Sequence, residues 1–185
     1  MLPKADIENL INDLQTLYDG TTSVKHKQYY SKLALLELSG WFESAQDEIA
    51  HSYGKPKLSN PNNIKYLEGA IIKKTSGCTY ESHFKDMLIR TIGIVNLEVV
   101  ENIINNNGDL GVLIAQLNTI WELRKPAAHT TIAGVMSTYN SPSTMIPYLN
   151  LLYPIFKRFE TELASLWSQI NGVVYILMTK TRKGG

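Results

Sequence analysis

The spacing of apolar residues constrains this chain most, because they recur every three or four positions along most of its length. The first segment shows the pattern clearly, with Ile7, Leu10, Ile11, Leu14 and Leu17. That interval places apolar side chains on one face of an α-helix, whereas a half-buried strand alternates at every second residue. No segment shows convincing alternation. We therefore predict an all-α protein, an antiparallel bundle of about six or seven helices.

Helix start and stop signals divide the chain into these elements. Asp19-Gly20 ends the first helix, and Thr21-Thr22-Ser23 offers N-caps for a long second helix. Ser59 or Asn60 before Pro61 suits the start of a third. The helices after the first are expected at about 24–54, 61–76, 80–91, 96–105, 109–124 and 148–170. A polar loop over about 130–147 precedes the last one.

Length and charge bound the class of protein. The chain has 185 residues, which suits a single domain over 1–172 with its core at about 22–170, followed by a short apolar segment and basic tail at 173–185. The net charge of +1 gives no bulk attraction to nucleic acid or to anionic membrane, so any positive field must be local. No apolar run is long enough to span a bilayer, and a cytoplasmic location is the default expectation.

The cysteine and histidine content argues against a metal site. Cys78 is the only cysteine, so no disulfide framework or cysteine-based zinc site forms within one chain. The four histidines have no zinc-binding spacing, and His83 in Glu81-Ser82-His83 has no helical metal spacing. We expect no metal and no cofactor. Gly77-Cys78-Thr79 is typical of a loop, and no suitably spaced histidine supports a nucleophilic Cys78.

The sixth helix carries the most informative pattern. One apolar stripe is formed by Leu110, Leu113, Ile114, Leu117, Ile120 and Trp121. Arg124 continues this stripe by the same spacing, so its side chain is directed toward the core side. A charge there needs a partner. The alternative is a rim position, with the guanidinium extended to water. The sequence leaves both interpretations open.

Pro126 and His129 follow Arg124 at the predicted end of this helix. Five residues separate Arg124 from His129, which places the two side chains well apart on an ideal helix. Pro126 lacks an amide N–H and crowds the preceding turn. We therefore expect the helix to kink or end near Arg124, which would bring His129 into the same cleft. The alternative for His129 is an ordinary packed or surface histidine.

Two segments resemble a known superfamily. Leu123-Arg124-Lys125-Pro126-Ala127-Ala128-His129-Thr130 resembles the signature of the HEPN superfamily, an arginine and a histidine separated by four to six residues at a helix end. Residues 33–43, Leu-Ala-Leu-Leu-Glu-Leu-Ser-Gly-Trp-Phe-Glu, resemble the first core helix of RiboL-PSP-type HEPN domains. In helix order the resemblance covers about 22–170.

The resemblance implies metal-independent cleavage of RNA by attack of the ribose 2′-hydroxyl. Arg124 and His129 would be the catalytic residues, with Lys125 and Thr130 contacting the RNA. Because HEPN domains are similar in forming two-fold dimers, it also implies a homodimer that supplies two such pairs to one cleft. A toxin or antiviral defence effector, with an antitoxin or another protein as partner, fits this class.

Two points keep an alternative open. Active HEPN ribonucleases usually carry Asn, Asp or His after the arginine, whereas Lys125 and Pro126 follow it here. Lys125 could contact a phosphate, and a HEPN domain that binds RNA or a protein partner without cutting is the second interpretation. Glu37 lies within an apolar run of the second helix and is expected to orient Arg124 or His129. Its alternative is a helix edge partly open to water.

Overall fold

The computed structural model describes the backbone of residues 2–129 and 138–181, and the side chains of 2–128 and 138–166. This part of the chain contains seven α-helices and no strand, so the predicted all-α bundle is confirmed. The helices are α1 (Lys4–Gly20), α2 (Val24–Gly54), α3 (Pro61–Tyr66), α4 (Lys85–Ile92), α5 (Ile94–Asn105), α6 (Asp109–His129) and α7 (Met145–Thr181). π-Helical turns over Leu67–Ile72 and Tyr80–Phe84 extend α3 and precede α4.

Local signals set the starts of α2 and α5. The Ser23 hydroxyl accepts a hydrogen bond from the backbone N–H of His26 at 3.4 Å and caps α2, as the sequence predicts. α5 begins at Ile94 rather than at the predicted Asn96, because Gly93 has a φ of 82° and breaks the chain direction immediately before it. The Asn96 side chain instead donates to the carbonyl of Ile92 at 2.8 Å, across the same corner.

The core is organised around α2, which packs against α1, α6 and α7. Its centre is a cluster of phenylalanine rings from three segments of the chain. The Phe42 and Phe156 rings stack at 5.7 Å, and the Phe84 and Phe159 rings meet edge to face at 5.3 Å. All four side chains are fully buried. Each ring of this kind buries about 150–250 Å², so the cluster helps to hold α2 and α7 together.

α6 and α7 run antiparallel. At one end the Arg158 guanidinium donates to Asp109 at 3.1 Å, which joins the start of α6 to the middle of α7. At the other end Leu123 and Tyr148 line the same open groove. Because the two helices are antiparallel, the end of α6, which carries Arg124 and His129, lies near the beginning of α7.

Pro126 does not end the helix. α6 continues through Pro126 to His129, so the expectation that the helix ends near Arg124 is wrong. Pro126 removes the amide donor to the Glu122 carbonyl, and its ring crowds that carbonyl. The side chain of Ala127 is fully buried, and its packing holds the last turn in place.

The final helix is longer than expected. α7 passes through Pro154 and runs to Thr181, beyond the predicted end at about 170, so the backbone of residues 173–178 belongs to this helix. Searching the described residues gives no helix with the length and apolar character that crossing a bilayer requires.

Candidate functional site

Arg124 lies at the rim of the bundle with a carboxylate beside it. Its side chain is 30% exposed, and Nη2 is 3.7 Å from Oε2 of Glu43 on α2. The guanidinium carbon lies 5.3 Å from the ring centroid of Trp121, one turn earlier on α6. Both interpretations left open by the sequence therefore hold in part, since Arg124 is at the rim and also paired. At 3.7 Å the pair is an ion pair rather than a close hydrogen bond.

Glu43, not Glu37, is the carboxylate beside Arg124, which corrects the expected partner. Glu37 is exposed and lines a groove between α1 and α2. Six residues separate Glu37 from Glu43, so they point about 120° apart around the α2 axis. The side chain of Glu37 thus faces α1, and Glu43 faces α6. The sequence pattern identified the polar edge of α2 that contains Glu37 but could not show which edge α6 covers.

His83 joins this cluster, although its sequence context drew no attention to it. Its ring lies 5.2 Å from the Trp121 ring, on the turn before α4. Nδ1 accepts a hydrogen bond from the backbone N–H of Thr79 at 3.3 Å and lies 2.6 Å from the Thr79 hydroxyl. The only sequence signal was the four-residue separation of Thr79 and His83.

Burial lowers the pKa of His83, Glu43 acts in the opposite direction, and Arg124 lowers it further. A neutral imidazole that accepts at Nδ1 keeps its proton on Nε2. His83 therefore holds the Thr79 turn and lies beside the Trp121 ring.

The turn beneath His83 is tightly built. Gly77 has a φ of 142°, and a Cβ added to it would lie inside van der Waals contact of the His83 ring. Gln46 of α2 donates to the carbonyl of Cys78 at 3.0 Å. The Cys78 thiol is buried, and burial raises its pKa to about 11, with Arg124 lowering it and Glu43 raising it to smaller extents. The thiol is protonated near neutral pH, which agrees with the expectation that it is no nucleophile.

Asp47 lies on α2 one turn after Glu43, and its surroundings disfavour the charged form of its carboxyl group. Burial raises its pKa from 3.8 to about 6, and the negative charge of Glu43 adds to the shift. Among the described residues, no group donates a hydrogen bond to its buried Oδ1. A raised carboxyl pKa means that the folded state holds the proton more tightly than the unfolded state. The protonated Asp47 carboxyl therefore contributes to the free energy of unfolding below pH 4, and this contribution is lost as the pH rises through 6.

Asp47→Asn is therefore expected to raise the free energy of unfolding at pH 7.5 by about 1 kcal/mol, discounted because the carboxyl is only half-buried. The amide mimics the protonated carboxyl, so the gain should disappear near pH 3.5. Urea denaturation of both proteins at the two pH values measures it. Equal free energies of unfolding for the two proteins at pH 7.5 would contradict the conclusion that the folded state disfavours the charged Asp47 carboxylate.

The remaining sequence-predicted site residues lie at the end of α6. Lys125 is exposed. Its amino group lies 2.6 Å from Oε1 of Glu122 and 5.9 Å from the ring centroid of Trp121. His129 is the last residue of α6, and its side chain lies outside the described residues, as does all of Thr130. Because α6 is continuous, the backbone positions of Arg124 and His129 differ by about 140° around its axis.

Within the described part of the chain, no three histidine, cysteine or acidic side chains are grouped so that they could hold a metal ion. Comparison with protein-family models, with curated proteins and with solved structures finds no match to this chain. A function for the cluster around Arg124 therefore has to be argued from its own chemistry and from the sequence resemblance.

Proposed function

We propose that this protein is a cytoplasmic, homodimeric, metal-independent endoribonuclease of the HEPN type, in the class of toxins and defence effectors. The observation that carries the proposal is the half-buried Arg124 guanidinium, held over Trp121 at the end of α6 and followed after four residues by His129. An arginine in this setting is preorganised to bind a phosphate, because its planar fork matches two phosphate oxygens.

The contacts of Arg124 leave room for such a ligand. The Trp121 ring lies near the guanidinium, and the ion pair with Glu43 is long, with 3.7 Å between Nη2 of Arg124 and Oε2 of Glu43. A phosphate that forms two parallel hydrogen bonds offers shorter contacts than this pair does. Glu43 then keeps the guanidinium aligned while no RNA is bound, which is the orienting role that the sequence suggested for Glu37. Lys125, exposed at the next position, adds a second cation for the RNA backbone.

Cleavage requires a base and an acid. In the proposed reaction the 2′-hydroxyl loses its proton to one imidazole and attacks phosphorus, and the 5′-oxygen leaves with a proton from a second donor. The products are a 2′,3′-cyclic phosphate and a 5′-hydroxyl. Arg124 neutralises the charge that develops on the phosphorane. A second copy of the chain supplies a second His129, and the continuous α6 favours this arrangement because it separates Arg124 and His129 within each copy.

The test uses purified protein, structured and single-stranded RNA, and EDTA. Wild type should cleave in EDTA and leave 2′,3′-cyclic ends, and His129→Ala should lower the cleavage rate by at least about a hundredfold, in the range of general acid–base catalysis. His51→Ala is the matched control, since His51 pairs with Glu68 on another face of the protein and should retain full activity. Equal cleavage by wild type and His129→Ala would mean that the activity is a contaminant.

A second candidate is a HEPN domain that binds RNA or a protein partner without cutting. The observation in its favour is the exposed Lys125, which stands with Pro126 where active members carry a polar side chain and which pairs with Glu122. Binding of RNA without products from wild type would support this candidate. A monomeric mass by light scattering would contradict the first candidate, the ribonuclease, because its cleft is shared between two copies.

A further inference from the structure

The N-terminal turns of α2 carry an unusual concentration of positive charge. Between Asp19 and Glu37 the sequence has no acidic residue, whereas it has Lys25, Lys27 and Lys32. The first turn of α2 contains no acid at all. Cations near a helix N-terminus are unfavourable, because the helix dipole already places positive charge there. Helix stability therefore does not explain this composition.

Two of these cations, Lys25 and Lys27, lie near aromatic rings. The amino group of Lys25 is 5.7 Å from the ring centroid of Tyr29, and that of Lys27 is 5.0 Å from the ring of Tyr18. Tyr29 remains 44% exposed. The nearest preceding acid, Asp19, accepts two hydrogen bonds from the Gln15 side chain, at 2.9 and 3.0 Å. The described surface at this end of α2 thus combines positive charge with an open aromatic face.

The same helix face leads to Arg124. Lys25 and Glu43 are 18 residues apart, which is five whole turns of an α-helix, and Lys32 is 11 residues from Glu43, which is close to three. Lys25, Tyr29, Lys32 and Glu43 therefore share one side of α2. By helical rise, Lys32 lies about 16 Å and Lys25 about 27 Å from the level of Glu43, the partner of Arg124.

The direction of α6 agrees with this alignment. Gln28 accepts a hydrogen bond from the backbone N–H of Tyr139 at 2.8 Å, so the N-terminal end of α2 lies beside the chain that enters α7. α7 begins at the end of the bundle where α6 finishes, as Leu123 and Tyr148 show by lining one groove. Beyond Arg124, α6 therefore points toward the basic end of α2.

We infer that Lys25, Tyr29 and Lys32, here called the α2 track, bind single-stranded RNA and lead it to Arg124. The inference rests on the proposed function and assigns its substrate class. Lysines on one helix face neutralise successive phosphates, and an exposed tyrosine ring stacks on a base without selecting its identity. A duplex would bury its bases from Tyr29, so the track suits unpaired RNA.

The test measures binding of a fluorescent 12-nucleotide 2′-O-methyl oligouridine to the full chain. This probe has no 2′-hydroxyl to attack, so binding is separated from cleavage. Lys25→Gln with Lys32→Gln is expected to weaken binding about tenfold and to reduce the slope of log affinity against log salt by about 1.4. Tyr29→Ala should weaken binding about fivefold or more through lost stacking. Lys73→Gln with Lys74→Gln, two exposed lysines after the first π-helical turn, is the matched control.

Equal losses in the track variant and the control would overturn the inference, as would no binding by wild type. If heparin displaces the probe as well as unlabelled RNA does and Tyr29→Ala binds normally, the surface is a general polyanion site, which also overturns it. The inference and the proposed function can fail separately. Binding that depends on the track, in a protein that does not cleave RNA, supports the α2 track and rejects the nuclease.

Discussion

Arg124→Ala is expected to lower the rate of RNA cleavage by about a hundredfold to a thousandfold, the usual effect of removing one donor that stabilises transition-state charge. The guanidinium lies over Trp121 and beside Glu43, so its position is fixed before RNA binds and little reorganisation is needed during the reaction. The measurement is the single-turnover cleavage rate of a labelled RNA at saturating enzyme, which separates the chemical step from binding.

Arg124→Lys should restore little activity, because an ammonium cannot form two parallel hydrogen bonds or stack on the indole in the same way. Arg90→Ala is the control, since Arg90 is an exposed arginine paired with Asp86 on α4. If Arg124→Lys cleaves as fast as wild type, Arg124 supplies only a diffuse charge. If Arg124→Ala keeps full activity, the proposed reaction at this site is wrong.

Gly77→Ala is expected to destabilise the fold by about 2–4 kcal/mol. Two costs add. The φ of 142° is strained for any residue with a Cβ, and the new methyl group would overlap the His83 ring, which hydrogen-bonds to Thr79 and lies beside Trp121. For a domain of this size the transition temperature should fall by roughly 5–10 °C, measured by thermal unfolding followed by circular dichroism.

Gly111→Ala provides the opposite control. Gly111 is exposed in the first turns of α6, and a Cβ there would meet nothing within 4 Å. Alanine at such a position should stabilise α6 by about 0.5–1 kcal/mol. Similar stability changes for Gly77→Ala and Gly111→Ala would show that the turn beneath His83 is not tightly built.

The sequence predicted the elements that depend on local signals. The cap of α2 was expected within 21–23 and that of α3 at Ser59 or Asn60. The side chains of Ser23 and Asn60 accept the capping hydrogen bonds. The expected end of α6 at Arg124 was wrong because proline is a local signal, whereas the packing of Ala127 that holds the last turn is tertiary. A helix boundary set by the core cannot be found from spacing alone.

In the candidate site, too, local features could be predicted from the sequence and tertiary contacts could not. The interval of Arg124 with the apolar stripe left a core-side and a rim position open, and the structure combines them, since Arg124 lies at the rim and pairs with Glu43. Glu43 and His83 did not follow, because each reaches the cluster from a different segment, at sequence separations of 81 and 41 residues from Arg124. Only the packing of α2 and of the turn before α4 against α6 brings them there. The roles of His129, Lys125 and Thr130 stay predictions from the resemblance.

The unbroken course of α6 has a mechanical consequence. Leu117, Ile120 and Ala127 are fully buried along one side, so the helix is clamped to the core on both sides of Arg124. A stiff rod anchored in this way cannot adjust the spacing between its own residues when a substrate arrives. In the proposed dimer, two copies of the protein would meet with the spacing between Arg124 and His129 already fixed in each. The angle at which they dock, rather than any local rearrangement, would determine the geometry in which RNA is held.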